Sequence, residues 1–73
     1  MQSSALSLIT LRRELAERYA AATRQWLAAR NTYRRLHEAQ VTNIVALRNA
    51  ARRVDQLESG RAALLRDLKA LSG

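Results

Sequence analysis

Six arginines, Arg30, Arg34, Arg35, Arg48, Arg52 and Arg53, crowd residues 30–53 of this 73-residue chain. A guanidinium is a planar fork of donors that grips a carboxylate or a phosphate bidentately. Such a group is suited to binding an acidic protein surface or the phosphates of a nucleic acid, with an affinity that falls as salt rises. The spacing argues for a use: Arg30 with Arg34, and Arg48 with Arg52, stand four apart. Like charges at that separation on a helix cost roughly 0.2–0.5 kcal/mol per pair. The charge is also local. Residues 1–17 carry Arg12 and Arg13 against Glu14 and Glu17, residues 54–73 carry Arg61, Arg66 and Lys69 against Asp55, Glu58 and Asp67, and both segments are neutral. The whole formal charge of +7 therefore resides in residues 18–53, where eight arginines face Glu38 alone. The competing reading of the same residues is a solvated face that keeps an apolar coil soluble.

Other chemistry is sparse. His37 is the single histidine and precedes Glu38. The run Arg34-Arg35-Leu36-His37-Glu38 is similar to the phosphoacceptor segment of dimerising histidine-kinase hairpins, where a histidine followed by an acid sits on the first helix of a two-helix bundle. That resemblance covers five residues and implies phosphoryl transfer at His37; taken alone, the residue reads as a boundary histidine beside an apolar seam. One histidine, no cysteine and scattered carboxylates cannot close a metal site. There is no Gly-rich phosphate loop, and the chain is too short to wall off a pocket. No catalytic residue, metal, cofactor or small-molecule substrate is expected, and the chain is read as a non-enzyme.

The elements that must carry these arginines are helices. A heptad thread starting at Ala5 and stepping alternately three and four residues lands on twenty positions ending at Leu71, and sixteen of them are nonpolar. That period is the signature of a coiled coil. Its bulk comes from Leu8, Leu15, Tyr19, Trp26, Tyr33, Leu36, Leu47, Val54, Leu57, Leu64, Leu68 and Leu71, which are expected to form the helix–helix interface. Tyr19, Trp26 and Tyr33 recur every seven residues on the seam itself, so they read as core and not as exposed platforms for stacking bases. Proline is absent, glycine occurs only at positions 60 and 73, and Ala with Leu supplies 26 residues, so nothing in the composition favours strands.

The thread has one weak stretch. Gln40 and Asn43 occupy its core positions there, among the β-branched Val41, Thr42, Ile44 and Val45. A turn is therefore expected at 39–43, with Thr42 or Asn43 capping a second helix. Ser4 or Ser7 would cap the first, Ser7 being preferred, behind a frayed leader of residues 1–4. Folding about a mirror between Val41 and Thr42 pairs Leu36 with Leu47, Tyr33 with Ala50, Ala29 with Val54, Trp26 with Leu57, Tyr19 with Leu64 and Leu15 with Leu68. Arg61 then falls opposite Ala22 and is expected to snorkel outward. The alternatives are one continuous helix of about 100 Å, with Gln40 and Asn43 as polar layers, and a late break at Gly60.

Beside the seam lie Ile9, Leu11, Ala16, Ala39, Ile44, Ala46, Ala51 and Leu65, a stripe wider than two helices require. An antiparallel coiled-coil hairpin that dimerises into a four-helix bundle is the expected architecture, as a single unit spanning residues 1–73. No apolar run has the length of a bilayer span, and the short run from Ala5 to Leu11 resembles neither a signal peptide nor an anchor, so a cytoplasmic location is expected. Twelve of the thirteen basic residues are Arg, the usage of a GC-rich bacterial genome or of selection for bidentate grip. The expected function is that of an adaptor or assembly protein. It would self-associate and hold a helical or acidic protein partner through the seam and the arginine cluster. The alternative is a small helical-hairpin nucleic-acid binder using the same arginines, and a third reading is a segment of a longer coiled-coil protein.

Overall fold

The computed structural model describes residues 4–40 and 42–72 and consists of two helices, α1 (Ser4–Glu38) and α2 (Ile44–Ser72), packed against each other as a hairpin. At 1.5 Å per residue, 35 residues of α1 make a rod of about 52 Å. The molecule measures 60 × 16 × 14 Å, one helix long and two helices wide, which excludes the continuous rod.

The chain reversal has identifiable chemistry. At the end of α1 the Ala39 N–H donates to the Arg35 carbonyl at 2.9 Å, and the Gln40 N–H donates to the His37 carbonyl at 3.1 Å, a tightened last turn. Gln40 then adopts φ 54°, the left-handed region in which helices commonly terminate. Glycine usually occupies that position, because a side chain there costs about 1–2 kcal/mol. On the other side, Asn43 caps α2: its Oδ1 accepts from the Ala46 N–H at 3.1 Å while its carbonyl accepts from the Leu47 N–H at 3.1 Å. Val41 lies outside the described residues, as do residues 1–3 of the expected leader.

One sequence expectation about helix ends fails, and one alternative is excluded. Ser7 is inside α1, which already begins at Ser4, so it caps nothing. Gly60 does not break α2 either, since its φ is not positive and the helix runs through it to Ser72. A lone glycine removes only about 1 kcal/mol of helix propensity, too little to end a helix held by its neighbours.

The two helices touch along the heptad seam. The Arg12 Nη2 donates to the Leu71 carbonyl at 3.0 Å, joining the N-terminal end of α1 to the C-terminal end of α2. At mid-length the Arg61 Nε donates to Thr23 Oγ1 at 2.8 Å. Burial is nevertheless thin. Leu15, 8% exposed, is the single buried hydrophobic residue among those described. Tyr19, Trp26, Leu36, Leu47, Val54, Leu57, Leu64, Leu68 and Leu71 are half-buried. Leu8 and Tyr33 are exposed, at 49% and 36%, although both stand on the seam. The reason is geometric: α1 at 35 residues outreaches α2 at 29, so Leu8 stands beyond the level of Ser72, the end of α2, in the mirror pairing. Tyr33 stands at the level of the small Ala50 in the mirror pairing, and its ring leans toward His37 instead, with centroids 6.1 Å apart.

Candidate binding surface

All six clustered arginines are exposed, and the hairpin places them in the half of the molecule nearest the turn. They do not share one face. Arg30 and Arg34 open onto a groove of about 690 Å³ that also contains Trp26, Leu27, Tyr33, His37 and Glu58. Arg53 opens onto a smaller groove with Gln25, Ala28, Thr32 and Ala50. Heptad position explains the split, because in an antiparallel pair the residues following the seam on both helices line one side and those preceding it line the other. Arg30 follows Ala29 of the seam, whereas Arg53 precedes Val54.

The larger groove mixes charge with apolar floor. Arg30 lies 4.9 Å from the Trp26 ring centroid, close enough for a cation–π contact. Arg34 donates from Nη2 to Asn31 Oδ1 at 2.9 Å, one turn back on the same helix, which fixes the direction of its guanidinium. Leu27 is 46% exposed at the groove's edge. The two carboxylates Glu38 and Glu58 also line it, so the surface is amphoteric as well as basic.

Arg61 was expected to snorkel away from the seam, and it does not. Its guanidinium carbon sits 5.2 Å from the Tyr19 ring centroid and 4.7 Å from that of Trp26, with the hydrogen bond to Thr23 completing its contacts. The small Ala22 opposite leaves room for the planar group to lie across two aromatic faces one heptad apart. Trp26 is thus approached by two guanidinium groups, Arg30 and Arg61. Its Nε1 is buried without a hydrogen-bond partner, a cost of about 1–3 kcal/mol. An arginine on the seam, level with the gap between Tyr19 and Trp26, is the signal in the sequence that locates this cluster.

Among the described residues no group of three or more His, Cys, Asp or Glu is placed to hold a metal ion, and no helix is long and apolar enough to cross a membrane. His37 pairs with Tyr33 at the rim of the larger groove. The geometry offers apolar contact along the hairpin and cationic contact around its turn-end half. Comparison of the chain with protein-family models, with curated proteins and with solved structures finds no match.

Proposed function

We propose that this chain is a non-enzymatic helical adaptor that self-associates and holds a helical or acidic protein partner through its exposed apolar residues and the arginines of its turn-end half. The observation that carries this reading is the mismatch between the sequence and the burial. Leu8, Ile9, Leu11, Leu27, Tyr33, Ile44 and Val45 are all exposed while one residue among those described is buried. Large exposed apolar side chains in such number mark surfaces that are covered in the working assembly. The arginines supply what apolar contact lacks, namely orientation and a preference for acidic partners. A cytoplasmic setting belongs to the same reading.

A second reading, binding to nucleic acid, is favoured by one observation: Tyr33 is exposed beside Arg30, Arg34 and His37, a stacking ring among phosphate-binding groups. The two readings are separated by capturing partners from lysate with and without nuclease, using the native chain and a variant with Arg48, Arg52 and Arg53 changed to Gln. The adaptor reading expects a nuclease-resistant protein partner whose retention drops at least tenfold in the variant. Changing Arg12, Arg13 and Arg66 instead should leave it nearly intact. Loss of all capture on nuclease treatment would favour nucleic acid, and equal weakening by both triple variants would refute a localised arginine site.

A further inference from the structure

The self-association in the proposed function leaves open which side of the hairpin is covered and in which direction the copies run. The accessible surface of the chain is 5679 Å². A compact monomer of 8.2 kDa would expose only about 4,500 Å². The excess of roughly 1,100 Å² exceeds the 800 Å² or so that each partner buries in an ordinary stable interface. One more copy covers most of it.

The apolar excess is not spread evenly. Ile9, Ala16, Thr23, Arg30 and His37 follow one another at heptad spacing, and Arg30 and His37 open onto the larger groove, so Ile9 lies on the groove's side of the hairpin. Ala20 precedes Leu27 by one heptad, and Ala62 follows Glu58 by one turn, which places both on that side with Leu27 and Glu58. The side therefore has three zones. At the open end stand the projecting Leu8 and Ile9, 49% and 52% exposed. At the middle are the exposed, small Ala20 and Ala62, over which helices can approach closely. In the turn half is the groove lined by Trp26, Leu27 and Tyr33.

We infer that two copies of this chain pack groove side to groove side and antiparallel, turn end over open end. This rests on the self-associating reading above. Antiparallel stacking about the middle brings Leu8 and Ile9 of one copy level with residues 31–34 of the other, Tyr33 among them, so each copy's projecting residues enter the other's groove. Parallel stacking would set groove against groove. It would also place the two turn-end halves together, whose residues 30–53 each hold six arginines against Glu38. The antiparallel arrangement sends them to opposite poles of a particle about one hairpin long, 60 Å, several screening lengths apart.

Symmetry gives the test. In the antiparallel two-fold dimer α1 lies beside the partner copy's α1 and α2 beside its α2, whereas in the parallel dimer α1 lies beside α2. The chain has no cysteine, so introduced thiols are unique. Ala20→Cys and Ala62→Cys chains, one carrying a size tag, are oxidised with diamide separately and mixed, alongside sedimentation equilibrium of the unmodified chain. The expected result is twice the 8.2 kDa chain mass, a self-disulfide in each variant, and no heterodisulfide in the mixture. Ile9→Ser should return the mass to that of one chain, while Leu11→Ser, on the other side, should not. A dimer giving only the heterodisulfide, or neither disulfide, overturns this arrangement and leaves self-association standing. A single-chain mass at every concentration overturns both.

Discussion

The two halves of the hairpin differ in what they spend their residues on. The open half holds the buried Leu15, the bond from Arg12 to the Leu71 carbonyl, and charges that nearly balance, Arg12, Arg13, Arg18, Arg66 and Lys69 against Glu14, Glu17 and Asp67. The turn half holds no buried hydrophobic residue among those described, packs Ala29 and Ala50 where bulk would be needed, and over residues 30–53 carries six arginines against Glu38. Between them lies a waist in which Arg61 spans Tyr19 and Trp26. The same heptad repeat runs through all three. Periodicity therefore fixes which residues face the other helix, while side-chain volume and charge decide which stretch is a packing region and which is a display region.

The sharpest way to break this comparison is to make the same substitution in both halves. Leu15→Ala should cost about 3 kcal/mol, the value for a buried leucine. Leu36→Ala, half-buried near the turn, should cost only about 1–1.5 kcal/mol, in proportion to the apolar area it covers. Urea unfolding followed by circular dichroism reads both, and equal costs would erase the distinction. At the waist, Trp26→Ala should cost about 2–3 kcal/mol, less than a fully buried tryptophan because the side chain is half-buried. Arg61→Ala should cost about 1–2 kcal/mol, and the double variant less than the two together, because each ring–guanidinium contact is counted once. Strict additivity would show that Arg61 snorkels after all.

The turn region yields smaller effects of opposite sign. Asn43→Ala removes the cap of α2 and should cost about 1 kcal/mol. Gln40→Gly relieves the left-handed side chain and should stabilise by about 1 kcal/mol. Smallest is Gly60→Ala, where a Cβ meets nothing within 4 Å and the helix gains about 0.5–1 kcal/mol. A loss there would mean that another chain approaches α2 closely at Gly60.

The helical hairpin was legible because its causes are local. Heptad spacing, absence of proline and a β-branched stretch around Asn43 each act through residues near in sequence. Leu15 facing the region of Leu68 follows from the same repeat. Three things were not legible. The left-handed Gln40 is a residue type that rarely takes that conformation, so composition gives no warning. The exposure of Tyr33 depends on how little a single neighbouring helix can cover, which periodicity does not measure. Arg61 at the seam reads as a misfit until Tyr19 and Trp26 are placed beside it in space. The arginine cluster was visible as a charge excess, but its division between two sides follows from heptad position, Arg30 on one side and Arg53 on the other.

The central claim is that one hairpin does not cover its own apolar surface and is completed by association. Thermal unfolding monitored by circular dichroism over a hundredfold range of chain concentration tests it most directly, because association couples stability to concentration by mass action. The account predicts a midpoint that climbs steadily with concentration, together with loss of helicity in the most dilute samples. A midpoint that stays the same at every concentration, with full helicity throughout, would contradict it.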